Sequence, residues 1–382
     1  MKVLQILPEL NSGGVERGTL EVAEYLVKNG HEALVVSNGG RQVEALEKLG
    51  GKHIAMPVHR KSLTSLFQVR AFRSLLEKEK PDILHIRSRA PGWIAWLAWR
   101  KMDPATRPRL VSTVHGFYSV NFYSAIMTKG ERVIAVSESI KDYILKNYPQ
   151  TVVDKLRLIY RGIEPADYPS GYQPSAKWLE CWKSEYPHLE GKKVLLLPGR
   201  ITRLKGHVDF FRLLSGLKNQ GHEVHGLVVG DTHSKKHSYL EELKILSKDQ
   251  VLEDSLTFTG HRADVREIMA VSDIVCALSQ QPESFGRTVL EALAIGKPVL
   301  GYDCGGVGEL LEAIFPQGRV KPMDSQGLLD AAIQVLKDQP RPKIPDATFT
   351  LDSMCSKTLQ VYRELSEKVD KKTSTITADV MR

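Results

Sequence analysis

Glu283 and Glu291 are separated by seven residues, and Gly286 between them opens a predicted helix. The pattern predicts that residues 285–288 form the first helical turn, where backbone N–H groups lack intrahelical partners and the helix dipole is positive. A phosphate can bind such a turn without a side-chain ligand, and the flanking carboxylates can accept hydrogen bonds from sugar and ribose hydroxyls. The spacing therefore predicts a nucleotide-sugar site, although an amphipathic helix with a solvated Glu near each end is an alternative. The candidate donor-binding residues here are Phe285, Gly286, Arg287, Thr288 and Glu291.

Arg200 and Lys205 stand five residues apart, where a predicted strand ends and a helix begins. An Arg can donate two parallel hydrogen bonds to phosphate oxygens, and a Lys binds them through a single positive charge. The two could therefore stabilise a departing diphosphate. A solvated basic turn is the alternative. The sequence has no Asp-x-Asp pair that would hold a metal ion. We therefore expect a site with neither a metal nor a cofactor.

Three further candidates follow other predicted strands. Gly13 and Gly14 lie where the first strand turns into a helix, so the backbone there can approach a phosphate closely or simply form a tight turn. His115 ends a later strand, where a lone His is often structural. Glu309 follows a glycine-rich turn and either contacts the substrate or caps the next helix.

Taken together, these segments resemble the retaining glycosyltransferases of family 4, also called glycosyl transferases group 1, which have the GT-B fold. The signature of that family is a Glu, seven residues and a second Glu. The agreeing motifs, in the family's order over essentially the whole chain, are Gly13-Gly14-Val15-Glu16-Arg17, Val114-His115-Gly116-Phe117, residues 198–206, residues 283–291 and Gly305-Gly306-Val307-Gly308-Glu309.

The resemblance implies the role of each candidate. Arg200 and Lys205 match the Arg and Lys that hold the donor diphosphate, whereas Arg203 matches neither. Glu283 matches the residue that grips sugar hydroxyls, and His115 matches a His that contacts the donor sugar near the reacting centre. The resemblance implies front-face transfer, in which the departing phosphate helps to deprotonate the acceptor hydroxyl. The predicted catalytic residues are His115, Arg200, Lys205 and Glu283.

Short β-branched runs alternate with helical segments, which is typical of parallel sheets covered on both faces. The alternation lapses in a Pro-rich stretch around residues 160–186 and then restarts. We expect an α/β protein with two Rossmann-like, doubly wound domains facing a cleft. Their predicted bounds are 1–165 for the acceptor side and 166–348 for the donor side. A C-terminal helix over 349–371 is expected to return to the first domain, and residues 372–382 to form a flexible tail.

The net charge of +8 is concentrated in residues 58–109, which hold twelve Lys and Arg against four Asp and Glu. A basic face there would attract anionic lipid or a phosphorylated acceptor, and solvated helix faces are the alternative. Arg87 and Arg89 at a strand end are candidates to meet that acceptor. The helix with Trp93, Trp96 and Trp99 is expected to be buried against its sheet, and contact with a membrane interface is the alternative. No nucleic-acid-binding motif is present.

Four widely spaced cysteines and no recognisable leader predict a cytoplasmic protein. The basic first domain is the basis for expecting peripheral contact with the inner face of the cytoplasmic membrane. The general likeness to lipopolysaccharide-core transferases predicts a lipid-linked or lipopolysaccharide-core acceptor for cell-envelope synthesis. A nucleotide-sugar epimerase of the same fold is an alternative. An NAD-dependent oxidoreductase is disfavoured because the glycines do not space as G-x-G-x-x-G and the second strand ends in Ser37. A binding protein without catalysis would not need Arg200 and Lys205 together with the two Glu.

Overall fold

The computed structural model describes residues 1–11, 13–59, 65–231 and 237–380, and the chain divides into two compact units. The first unit holds Met1–Arg161 and the chain from Leu351, and the second holds Gly162–Thr350. These divisions lie a few residues from the predicted bounds at 165 and 348. The Pro-rich stretch where the strand-helix alternation lapses in the sequence contains a helix, α6 (Ala176–Glu185).

The first unit is built on a seven-stranded, wholly parallel sheet in the order β3-β2-β1-β4-β5-β6-β7. Its strands are β1 (Lys2–Ile6), β2 (Glu32–Ser37), β3 (Lys52–Ala55), β4 (Ile83–Ile86), β5 (Arg109–Val114), β6 (Arg132–Ala135) and β7 (Leu156–Leu158). Five helices connect them: α1 (Gly14–Lys28), α2 (Val43–Lys48), α3 (Ser65–Glu79), α4 (Arg89–Trp99) and α5 (Glu138–Asn147).

Successive side chains of β1 enter two different cores because strand residues alternate between the faces of a sheet. Val3 packs in one core with α1, and Leu4 packs in the other with α4. Both faces are covered by helices, which explains why the strands are apolar runs without a polar face. In α4, Trp99 is buried and Trp93 and Trp96 pack against the core, as the apolar composition of this helix predicted.

The second unit contains a six-stranded parallel sheet in the order β10-β9-β8-β11-β12-β13. Its strands are β8 (Lys193–Pro198), β9 (Val224–Val229), β10 (Leu256–Gly260), β11 (Ile274–Ala277), β12 (Val299–Tyr302) and β13 (Arg319–Val320). Its helices after α6 are α7 (His207–Asn219), α8 (His237–Asp249), α9 (Val265–Val271), α10 (Arg287–Ala294), α11 (Gly305–Ile314) and α12 (Ser325–Asp338). Two parallel α/β sheets confirm the predicted fold class.

The last helix, α13 (Leu351–Val380), belongs to the first unit and packs beside α1. Tyr362 is fully buried, and its hydroxyl lies 2.7 Å from Nδ1 of His85 on β4. The backbone stays helical beyond residue 371, where the loss of apolar periodicity suggested an end. No Gly or Pro interrupts residues 372–380, so no local signal stops the helix.

Candidate functional site

The loop after β8 carries the two predicted phosphate-binding cations, and its shape depends on Gly206. This residue has φ of 73°, in the left-handed region, and ends the short turn Arg203–Lys205 before α7 begins. A Cβ at Gly206 would lie 2.0 Å from the carbonyl oxygen of Leu278, so only glycine fits without movement. The turn brings Lys205 back towards the segment that follows β11.

Lys205 donates a hydrogen bond of 2.6 Å from Nζ to Oε1 of Glu283. Ser279, which is buried, donates a short hydrogen bond to the same carboxylate oxygen. Burial alone would raise the pKa of Glu283, but the Lys205 charge and the hydrogen bonds from Lys205 and Ser279 outweigh it and lower that pKa. The carboxylate is therefore ionised at neutral pH and can accept hydrogen bonds from hydroxyl groups.

These residues line a cavity of about 610 Å³. Arg200, Lys205 and Glu283 all contribute to its wall, so three of the four predicted catalytic residues lie together. Arg200 is exposed, and its side chain makes no hydrogen bond or ion pair with any residue that the structure describes. The cavity wall thus combines the solvated guanidinium of Arg200 with the ammonium of Lys205 and the carboxylate of Glu283, which suits a ligand that has both phosphate and hydroxyl groups. A second guanidinium in the wall, that of Arg203, is paired with Glu242.

Helix α10 begins two residues later than the sequence predicted. Gly286 is the residue before the helix and has φ of 92°, so the first turn starts at Arg287 and Thr288 and does not include Phe285. Phe285 is 4% exposed and its ring lies 6.4 Å from that of Phe349, so its side chain belongs to the core and only its backbone could take the predicted part in donor binding. The left-handed glycine is what turns the chain into the helix.

Glu291 lies in the second turn of α10, is 8% exposed, and accepts a hydrogen bond of 3.4 Å from Nε of Arg287. Neither residue lines the 610 Å³ cavity. The two carboxylates of the predicted nucleotide-sugar site are therefore separated: Glu283 lies in the cavity wall, whereas Glu291 lies in the helix that follows it.

The glycine-rich start of α11 supports the Glu283 segment. The N–H of Gly306 donates to the carbonyl oxygen of Glu283 at 2.8 Å. A Cβ on Gly306 would lie 2.3 Å from Cα of Phe285, so these glycines permit a close approach of two backbones. Glu309 lies within α11 and is half-buried, in neither the turn nor the cap position considered from the sequence.

In the first unit, Gly13 is the N-cap residue of α1 and Gly14 its first residue, as the turn motif predicted. A Cβ on Gly13 would lie 2.5 Å from Oε2 of Glu16. The Glu16 carboxylate therefore folds back over the start of the helix, where it is stabilised by the positive end of the dipole. An incoming phosphate at this turn would have to displace it.

His115 follows β5, and its Nδ1 lies 2.6 Å from Nη2 of Arg161. Because a guanidinium only donates, Nδ1 is the acceptor and the proton of the neutral ring resides on Nε2. Burial, together with the charges of Arg161 and Arg87, lowers the pKa of His115 well below its ordinary value. Nε2 is buried with no hydrogen-bond partner among the described residues, so His115 is poised to donate a hydrogen bond rather than to act as a base.

Several functional residues were not identified from the sequence. Ser279 and Arg161 carry no motif signal, because only the fold brings them to Glu283 and His115. Arg87, which the sequence predicted to meet a phosphorylated acceptor, is 2% exposed. Arg89 is half-buried, with its guanidinium 4.5 Å from the centre of the Tyr118 ring.

Over the described ranges, no three His, Cys, Asp or Glu side chains are grouped so that they could hold a metal ion. None of the helices within these ranges combines the length and apolar character needed to cross a membrane.

Two family models match the chain, one in each half. Residues 12–167 match Glycosyltransferase Family 4, and residues 180–347 match Glycosyl transferases group 1. A crystal structure of a glycosyltransferase from Rickettsia africae ESF-5 is similar, with a TM-score of 0.82 and 32% identity over 95% of this chain and 98% of that one.

Two curated relatives act on different acceptors by their names. N-acetyl-alpha-D-glucosaminyl L-malate synthase of Bacillus anthracis is 27% identical over 69% of this chain and 67% of its own length. Lipopolysaccharide 1,2-N-acetylglucosaminetransferase of Salmonella typhimurium (strain LT2) is 28% identical over 42% of this chain and 44% of its own length.

Proposed function

Because the chain belongs to the GT-B glycosyltransferases of family 4, also called group 1, we propose that it is a retaining, metal-independent transferase that moves a sugar from a nucleotide-diphosphate donor to an acceptor in cell-envelope glycan synthesis. The observation that carries this proposal is the cavity of the second unit, where Arg200, Lys205 and Glu283 converge. A family-4 donor needs cations for its diphosphate and an acceptor of hydrogen bonds for its sugar. The wall of this cavity supplies both the cations and the hydrogen-bond acceptor.

The proposed reaction breaks the bond between C1 of the sugar and the diphosphate oxygen, and forms a bond between C1 and the acceptor oxygen on the same face. The proton of the acceptor hydroxyl passes to the departing phosphate. Lys205 and Arg200 stabilise the negative charge that develops on the phosphate, and therefore take the part that a metal ion plays elsewhere. Glu283 orients the sugar, and in the first unit the Nε2–H of His115 donates to a substrate oxygen.

We propose a lipid-linked or lipopolysaccharide-core acceptor. The partial similarity to the lipopolysaccharide transferase of Salmonella supports this class, as does the excess of Lys and Arg in residues 58–109. Arg60 and Lys61 of that segment lie outside the described residues, and Arg109 is paired with Glu131 at 2.7 Å. Because of this ion pair, Arg109 contributes less charge to an acceptor site than the sequence count implies.

We also propose that the first unit touches the inner face of the membrane. Val120 and Phe122 are 55% and 78% exposed, and the Phe122 ring lies 4.9 Å from that of Trp93. Exposed apolar and aromatic side chains are typical of an interfacial contact. Flotation with anionic vesicles should recover the wild type and much less of Phe122→Ser, and equal recovery of both would refute this contact.

The function is tested by incubating the protein, in EDTA, with UDP-, GDP- and ADP-sugars and either lipid-extracted or soluble acceptors. We expect release of one nucleoside diphosphate together with a glycosylated acceptor whose anomeric configuration, read by NMR, matches the donor. Glu283→Gln should lose this transfer. Conversion of the donor to an epimer without an acceptor would replace the proposal with the alternative activity.

A further inference from the structure

Three basic side chains gather at the carboxyl ends of the strands in the first unit: Arg87 after β4, His115 after β5 and Arg161 after β7. Ligands of open parallel sheets bind at this edge. A Cβ on Gly18 of α1 would lie 2.4 Å from Nη1 of Arg161 and 3.1 Å from Nη2 of Arg87. The two guanidinium groups therefore both lie close to Gly18 on this helix.

Arg87 is almost fully buried, yet its Nε and Nη2 have no hydrogen-bond partner among the described residues. His85 lies two residues before it, and its nitrogens are 2.7 Å from the hydroxyls of Tyr362 and Thr113. Burial keeps the pKa of His85 well below its ordinary value, so this imidazole is neutral and adds no charge. A buried guanidinium with unsatisfied N–H groups is energetically unfavourable unless a negative charge neutralises it.

The carboxylate that acts electrostatically on Arg87 is that of Glu21 on α1. Glu21 accepts a hydrogen bond of 3.2 Å from Nε of Arg17, so its charge is shared with another arginine. Nε and Nη2 of Arg87 stay without a hydrogen bond in spite of it. Glu21 is thus an incomplete counter-ion for this group.

Gly18 provides an independent indication that the two arginines form a site. It lies inside α1, where glycine is a poor helix former and alanine is a good one. An alanine would fit only if the end of the Arg161 side chain moved away. The glycine therefore lowers the stability of the helix and at the same time leaves room for the two guanidinium groups.

We propose that Arg87 and Arg161, above Gly18, bind a phosphate group of the acceptor substrate. Two converging cations match a phosphate monoester, which carries nearly two negative charges and offers oxygens in several directions, better than a planar carboxylate of single charge. The inference rests on the proposed function only in assigning the phosphate to the acceptor. The phosphate belongs either to a lipid headgroup or to a soluble phosphorylated sugar.

Calorimetric titration and thermal melting of the full chain test the site, at constant ionic strength, with three probes: inorganic phosphate, sn-glycerol 3-phosphate and dihexanoyl phosphatidic acid. The variants are Arg87→Met and Gly18→Ala, which displaces the guanidinium groups without removing them. Arg100→Met is the matched control because it removes an exposed arginine of the same unit. Lys205→Ala reports on the donor cavity, with UDP, GDP and ADP as its ligands.

We expect the wild type, Arg100→Met and Lys205→Ala to bind glycerol 3-phosphate alike. Arg87→Met and Gly18→Ala should bind it at least about tenfold more weakly, because a charge-assisted hydrogen bond is lost or misplaced. Both should retain nucleoside diphosphate binding, which also shows that they are folded. Tighter binding of dihexanoyl phosphatidic acid than of glycerol 3-phosphate would identify a lipid headgroup, and the reverse a soluble phosphate.

The proposal is overturned if no phosphate probe binds the wild type, or if binding is lost in Lys205→Ala and kept in Arg87→Met. Failure of the proposed function gives a different result. In that case no nucleoside diphosphate binds, while phosphate binding that depends on Arg87 persists.

Discussion

Replacing Lys205 by alanine separates the binding role of this cation from its contribution to stability. In the structure Lys205 pairs with Glu283, and the two side chains are 31% and 27% exposed. A partly solvated ion pair contributes only about 0.2–1 kcal/mol. In a unit of this size such a loss lowers the melting temperature by about 2–4 °C at most. The variant should therefore remain folded.

Its effect on the donor should be much larger. A hydrogen bond to a charged group contributes about 1.5–3 kcal/mol, which corresponds to a rise of about tenfold to a hundredfold in the dissociation constant of a nucleoside diphosphate. The unpaired Glu283 carboxylate would also repel the diphosphate, which favours the upper end of this range. Calorimetric titration with UDP, GDP and ADP in EDTA measures the effect.

Arg203→Ala is the matched control for this measurement. Arg203 lies in the same turn and carries the same charge, but it is 67% exposed, pairs with Glu242 at 2.7 Å and stacks over Tyr239 at 4.7 Å. Its removal should change the dissociation constant by no more than about twofold, since an exposed charge is well screened. Equal losses in both variants would refute a specific phosphate contact and leave only a general effect of positive charge.

Three further predictions concern the second unit. Glu291→Ala should weaken nucleoside diphosphate binding by about tenfold while leaving inorganic pyrophosphate unchanged, because the sequence predicts that its carboxylate accepts hydrogen bonds from the ribose; equal weakening of both ligands would contradict this predicted role. Gly206→Ala should lower the free energy of unfolding in urea by roughly 2 kcal/mol or more, because alanine is strained in the left-handed region and its Cβ would clash with Leu278. Gly221→Ala is the control: Gly221 has φ of 83° with open space around it, so this variant should show the backbone strain alone. Burial lowers the pKa of His225 to about 4, so its contribution is present above pH 6.5 and is lost as the pH falls towards 4. The free energy of unfolding should fall by about 2 kcal/mol from this group between pH 7 and 5, and His225→Gln should remove that part of the fall.

The sequence predicted those features of the fold and site that depend on local sequence pattern. Apolar runs alternating with helical segments predicted the two parallel sheets, and strand ends predicted where Arg200, Lys205, Glu283 and His115 lie. Spacing placed the start of α10 too early, because the left-handed Gly286 comes before the helix and not within its first turn.

Contacts between distant parts of the chain could not be predicted from the sequence. Nothing in the neighbourhood of His115 predicts that Arg161 donates to its Nδ1, and that bond determines the tautomer and thus the role of the ring. The sequence placed Arg87 at a strand end as a candidate to meet an acceptor, and only the structure shows that it is buried beside Gly18 of α1. The reason for a glycine at position 18 likewise appears only when both arginines are in place.

The most direct test of the central claim is equilibrium binding of the wild-type chain, in EDTA, to a panel of UDP-, GDP- and ADP-sugars with NAD as a comparison. Ligands that bind only the folded state raise its apparent stability, so a thermal shift reports binding for the whole panel. The account predicts that one class of nucleotide sugar stabilises the protein without metal and that NAD does not. Stabilisation by NAD alone, or by no nucleotide sugar at any concentration up to several millimolar, would contradict it.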